Sequence, residues 1–163
     1  MKPNREVGKW MATGPATGFT LPELLLTVGL VGIVSAAALP TLAGTVQSYR
    51  VRTAAWQVAG DLRLARQKAV SSNHRHRVCF SDCGGAVPAD GYLIQREEGS
   101  RWEIDTAVQP SSKGVQVRSN ATITFAHTGE AAGGTVTLLS GPASFQVRTH
   151  FTGKVTVCKG SCL

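Results

Sequence analysis

The cysteines carry the most evident chemistry in the sequence. Cys79, Cys83, Cys158 and Cys162 form two C-x3-C pairs. Four cysteines allow three disulfide connectivities, and spacing alone does not choose among them. Two local bonds, Cys79 with Cys83 and Cys158 with Cys162, are favoured because each pair is already close in the chain. A metal site from His74, His76, Cys79 and Cys83 is the competing use, but its spacing is irregular for zinc, so no metal is expected. Glu23 is the only ionisable residue between Phe19 and Leu39. A carboxylate at depth in lipid costs a few kcal/mol unless paired, so by default it is functional. Its bland alternative is snorkelling from the helix end. His127 and Glu130 sit in a turn-like tetrad, and Glu97-Glu98 adjoins Gly99 in a predicted hairpin tip, where a charged turn explains the pair. Trp56 and Trp102 read as packing residues. G-x-S-x-G, H-E-x-x-H, P-loop and GxGxxG motifs are all absent, so neither an enzyme nor a cofactor is expected.

These residues belong to a chain of two characters. Of 163 residues, 42% are apolar and 17% charged, against a usual charged share of about a quarter. The apolar content excludes a fully disordered chain. A single long apolar run excludes a multi-span membrane protein. Residues 1–18 are short and basic, with Lys2, Arg5 and Lys9 against Glu6. Residues 19–39 then make about 31 Å of helix at about 1.5 Å per residue, matching the hydrocarbon thickness of a bilayer. The basic flank before the run predicts that the C-terminal part lies outside the cytoplasm, where disulfides form. An ordinary secretory signal cut near Ala36-Ala37-Ala38 is the alternative.

The junction Gly18-Phe19-Thr20-Leu21-Pro22-Glu23-Leu24-Leu25 resembles the class III leader junction of type IV prepilins and type II secretion pseudopilins. Small residue, aromatic, acid and apolar run all occur at fixed spacing. The resemblance implies cleavage between Gly18 and Phe19 by a prepilin peptidase that also methylates the new amine, giving N-methylphenylalanine. It further implies that Glu23 pairs with the free N-terminal amine of a neighbouring pilin or pseudopilin subunit during assembly. A second segment, Leu62-Arg63-Leu64-Ala65-Arg66-Gln67-Lys68-Ala69-Val70, resembles the helix end in the branch of H-type pseudopilins and FimT/FimU-like minor pilins.

Elements follow from periodicity. After cleavage Pro22 lies in a first turn, where its missing N–H costs little. Pro40 should kink or loosen the helix. Val51, Ala55, Val58, Leu62, Ala65 and Ala69 step by four and three, drawing one apolar stripe. The helix is predicted from about Thr20 to about Ser72. Beyond Asn73 the period shifts towards two, predicting strands at 77–80, 92–95, 101–104, 115–118, 122–125, 136–139, 145–149 and 154–158. The expected fold is α+β and pilin-like: a long N-terminal helix, membrane-spanning in its first half, packed against antiparallel sheet. The expected organisation is a leader (1–18), a membrane half-helix (19–40) and an exported domain (41–163).

The resemblance implies a minor pilin that primes or caps a type IV filament, anchored by one pass in the bacterial inner membrane with its C-terminal domain in the periplasm. An H-type pseudopilin of type II secretion is the alternative. A membrane-anchored binding module that never enters a filament is a reading of a different class. Residues 41–163 hold 14 Lys or Arg against eight acids, a net charge of six that attracts phosphate. Some FimT-like minor pilins bind DNA through a C-terminal Gly-Arg-x-Arg segment. The matching residues here are Gly153-Lys154-Val155-Thr156, in which Thr156 replaces the second Arg and its forked phosphate contact. Lys159 partly compensates, making Lys154 and Lys159 the DNA-binding candidates. His74, Arg75, His76 and Arg77 form another basic cluster, whose bland reading is a helix end complementing its dipole.

Overall fold

Alanine at positions 54, 55, 59, 65 and 69 gives one helix face an unusually low profile, and each of these residues is fully buried. They lie on helix α1 (Leu21–Ser72); Ala55, Ala65 and Ala69 with Val51, Val58 and Leu62 are the stripe read from the sequence, and Ala54 and Ala59 widen it. The computed structural model describes residues 18–110 and 112–162, with side chains throughout except at 38–43. Of the expected leader (1–18), only Gly18 is therefore among the described residues. The helical backbone continues through Pro40, a residue that carries no N–H to donate. By its internal contacts the chain divides into two units after Pro40.

Eight strands follow: β1 (His76–Cys79), β2 (Tyr92–Glu98), β3 (Arg101–Val108), β4 (Gln116–Ser119), β5 (Ile123–Phe125), β6 (Gly134–Ser140), β7 (Ala143–Thr149) and β8 (Val155–Lys159). They form two antiparallel four-stranded sheets, ordered β3-β2-β1-β5 and β4-β6-β7-β8. The α+β pilin-like fold is thus observed. The β2–β3 hairpin runs further than alternation predicts. Glu97 pairs in register with Trp102 and Glu98 with Arg101, leaving only Gly99-Ser100 to turn. Gly99 supplies the positive φ of 61° that a two-residue loop requires. Glu97 and Glu98 are therefore strand residues and not a charged turn. Cations neutralise them: Arg75 lies 3.4 Å from Glu97 and Arg96 2.8 Å from Glu98.

The core forms where the alanine-rich face meets both sheets. Val78, Tyr92, Ile94, Ile123 and Phe125 come from the first sheet, and Val136, Leu138 and Val147 from the second. Small helix side chains bring backbone close to sheet, so the larger sheet residues fill the interior at native density. Three polar tethers reinforce this packing. The buried Tyr92 hydroxyl donates to the Asp61 carboxylate, and Lys68 donates to Asp105 on β3. Burial, with Asp61 adding to it, drives the Tyr92 pKa far above the usual tyrosine value. In the third, Arg66 Nε donates to the Gly129 carbonyl at 2.9 Å and Arg66 Nη2 to the Thr152 carbonyl at 3.3 Å.

The disulfides join Cys79 to Cys83 and Cys158 to Cys162. Both sulfurs of a His74–His76–Cys79–Cys83 metal site are thereby consumed. The Cys83 carbonyl accepts from Gln95 Nε2 at 3.0 Å, while Gln95 Oε1 accepts from Arg77 Nε at 2.7 Å. A buried glutamine thus holds the first disulfide loop against its sheet.

Candidate functional site

Two places bear on function: the start of α1 and the C-terminal edge of the second sheet. Gly18, Phe19 and Thr20 precede the helix, and Leu24 N–H donates to the Thr20 carbonyl at 3.1 Å, closing the first turn. Pro22 falls within that turn, where its absent N–H is an orphan in any case. Phe19 is 81% exposed, and Glu23 lies exposed in the first turn, beside the positive end of the helix dipole. Behind it, Leu24, Leu25, Leu26, Val28, Leu30, Val31, Ile33 and Val34 are each more than half exposed. A helix apolar on every side is covered by lipid or by other helices. Among the described residues no helix is long and apolar enough to cross a membrane, the described side chains of this segment ending at Ala37.

At the other end, Gly153 is buried with a φ of 74°. A Cβ there would lie 2.1 Å from the Gly129 carbonyl oxygen and 2.6 Å from Arg66 Nε. Glycine is a steric requirement of the hairpin between β7 and β8. Lys154 and Lys159 are both exposed but stand at opposite ends of β8, about 17 Å apart along a strand that rises about 3.3 Å per residue. They do not converge. The Thr156 hydroxyl between them donates to the Arg148 carbonyl at 3.3 Å and lies 3.4 Å from His150 Nε2.

Two sequence readings are corrected here. The last turn of α1 contains no basic residue; Arg77 is on β1, with Arg75 just before it. Their guanidinium carbons lie 4.2 Å (Arg77) and 6.0 Å (Arg75) from the Trp102 ring centroid, so they flank an aromatic ring instead of capping a helix. Burial lowers the Arg77 pKa. Trp56, read as a packing residue, is 50% exposed, with Arg63 6.0 Å over its ring. The Arg66 tether and the Asp61–Tyr92 pair carried no sequence signal, because each depends on partners 31 or more residues away.

Residues 54–153, well over half of the chain, match the family described as type II transport protein GspH. The chain belongs to the GspH family. This GspH-family chain is 38% identical over 63 residues to the competence protein ComGD of Bacillus subtilis (strain 168), which is 39% of the chain and 44% of ComGD. It thus spans less than half the length of that curated relative. The minor pseudopilin EpsH of the Vibrio cholerae type 2 secretion system shares the fold, with a TM-score of 0.56 and 12% identity over 69% of this chain and 99% of EpsH. The type IV minor pilin FimU of Pseudomonas aeruginosa (strain PAO1) does so with a TM-score of 0.51 and 15% identity, over 66% and 87%. The pseudopilin and minor pilin superfamily read from the junction and the helix end is the one found. Lys154 and Lys159 lie beyond the matched span.

Proposed function

We propose that this chain is a structural, non-catalytic minor subunit of a type IV filament machine, either a minor pilin or its H-type pseudopilin counterpart. Prepilin peptidase removes residues 1–18 and methylates Phe19; residues 19–39 then hold the subunit in the inner membrane with residues 41–163 in the periplasm. Other pilin or pseudopilin subunits are its partners, and Glu23 pairs with the N-terminal amine of a neighbour. One observation carries this reading: an apolar helix segment exposed on every side, bearing a single acid in its first turn and continuous with the helix of a GspH-type domain.

Replacing Glu23 by Ala tests it. The variant is expected to insert into the membrane normally and to be lost from sheared filaments or pseudopili; normal incorporation refutes the pairing role. Mass spectrometry checks the processing step separately, since a bulky residue at Gly18 should leave the leader attached. DNA is a second ligand reading, supported by Lys154 and Lys159 lying exposed along one sheet edge. Changing both to Ala should flatten the salt dependence of duplex binding by up to about two units, and unchanged binding removes the site.

A further inference from the structure

β8 is an edge strand, and its backbone shows which groups remain for another chain. His150 N–H donates to the Lys154 carbonyl at 2.9 Å, and Gly160 N–H donates to the Ser144 carbonyl at 3.0 Å. In an antiparallel ladder hydrogen-bonded pairs alternate, so residues 154, 156, 158 and 160 bond to β7. The N–H and C=O groups of Val155, Val157 and Lys159 therefore point away from β7. Arg63 Nη2 occupies the Val155 carbonyl at 3.4 Å. The outward groups of Val157 and Lys159 have no backbone partner among the described residues.

That free stretch borders a groove of about 490 Å³ between α1 and the second sheet. Tyr49, Arg52 and Trp56 line it from the helix; Phe145, Val157 and Lys159 line it from the strands. Tyr49 is 70% exposed. Positions 49, 52 and 56 share one helix face, and Arg63 extends that face one cation further. Phe145 and Lys159 are direct cross-strand partners and project to the same side. The groove thus has an apolar floor, cations at its rim and no acidic residue in its lining.

We infer that this groove is a strand-addition site. An extended segment of another protein pairs with the outer edge of β8 as a fifth strand beneath α1; its groove-facing residues, every second one along the segment, alternate between apolar and Asp or Glu. Main-chain bonds to Val157 and Lys159 hold it in register, as strand addition to an open sheet edge requires. Its apolar side chains meet Trp56, Phe145 and Val157, and its carboxylates meet Arg52 and Lys159. The inference goes beyond the subunit reading, because it concerns the groove beside β8 and stands whatever Glu23 does.

The test uses the full chain in detergent micelles and a capped (Val-Ser-Glu-Ser)2 peptide, whose valines and glutamates share one strand face, with amide hydrogen exchange read by NMR. The peptide is expected to slow exchange of the Val157 and Lys159 amides, and a (Val-Ser-Lys-Ser)2 peptide is not. The double variant Arg52→Glu with Lys159→Glu should bind (Val-Ser-Glu-Ser)2 about tenfold more weakly and accept the lysine peptide instead. Val157→Pro removes one outward N–H at a position where an edge strand tolerates proline, and should abolish protection at Lys159. If that variant does not fold, a (Val-Ser-Glu-Ser)2 peptide N-methylated at alternate residues keeps every side chain and should fail to bind. Four results overturn the inference: no protection of either amide, equal binding of both peptides, undiminished binding of the N-methylated peptide, or occupation of the groove by an oligothymidylate in place of peptide. Amides already protected in the free chain, in a manner depending on its concentration, would identify a second copy as the occupant and also overturn it.

Discussion

Replacing Gly153 by Ala should damage the fold more than any other single-methyl change at a described glycine. Two costs add. The backbone there is left-handed, at a φ of 74°, which costs an L-residue about 1–2 kcal/mol. The new methyl also meets the Gly129 carbonyl oxygen at 2.1 Å and Arg66 Nε at 2.6 Å. Relieving that overlap moves backbone and strains the Arg66–Gly129 hydrogen bond, a cost of about 1–3 kcal/mol. The total is about 2–5 kcal/mol, a large part of the stability of an ordinary domain. Gly160 isolates the first cost, since its φ is 76° and nothing lies within 4 Å of its ideal Cβ. Gly160→Ala should therefore lose only about 1–2 kcal/mol. Gly60 reverses the sign: it is exposed within α1 with open space around it, and Gly60→Ala should add about 0.5–1 kcal/mol. Thermal unfolding of the full chain in detergent, followed by circular dichroism, reads all three. At about 3–6 °C per kcal/mol, Gly153→Ala should lower Tm by about 6–30 °C, Gly160→Ala by about 3–12 °C, and Gly60→Ala should raise it by about 2–6 °C. Equal losses at Gly153 and Gly160 would refute the steric argument.

Three further outcomes are expected. Tyr92→Phe should cost about 1–2 kcal/mol by leaving Asp61 without its donor; because the Tyr92 pKa is raised in the folded state, its contribution is complete below the ordinary value of 10.0 and declines as pH rises beyond it. In a Tyr49→Phe background, absorbance at 295 nm should therefore register phenolate only as the protein unfolds in alkali. Each five-residue disulfide loop should contribute about 2 kcal/mol, and timed alkylation under mild reduction should label Cys158 and Cys162 first, since Cys158 is partly accessible whereas Cys79 and Cys83 are both buried. Asp105 is held below its ordinary pKa chiefly by the hydrogen bond from Lys68, so its contribution is present above about pH 4 and lost as pH falls through the lowered value. Both side chains are more than a third exposed, so Asp105→Asn should cost well under 1 kcal/mol in chemical denaturation at neutral pH.

The helix stripe from Val51 to Ala69 was legible because a 3.6-residue period survives whatever packs against it. All eight strands were legible as well, since short β-branched runs between glycine-bearing turns leave few alternatives. Their lengths were less so. β2 and β3 gained residues because cross-strand pairing carries Glu97 and Glu98 past the point where hydrophobic alternation stops. Trp56 departs from the packing reading for a related reason: periodicity tells which face a residue shares, and residues 49, 52 and 56 share a face beside the buried stripe, along the groove to the second sheet. Arg77 beside Trp102 and Arg66 beneath Gly153 depend on strands that meet only after folding, so nothing local announces them.

Both disulfides close loops within a single stretch of chain, and neither links helix to sheet or one sheet to the other. Under tension this matters. A subunit gripped by α1 and pulled by a load attached to its sheets resists through the alanine-rich interface and the polar contacts across it, Arg63 to the Val155 carbonyl included. Once that interface shears, the covalent cross-links shorten the released chain by little. About 90 residues beyond Ser72 are then free to extend to roughly 300 Å at about 3.4 Å per residue. The domain therefore behaves as a mechanical fuse, and oxidation guards its loops while leaving it extensible.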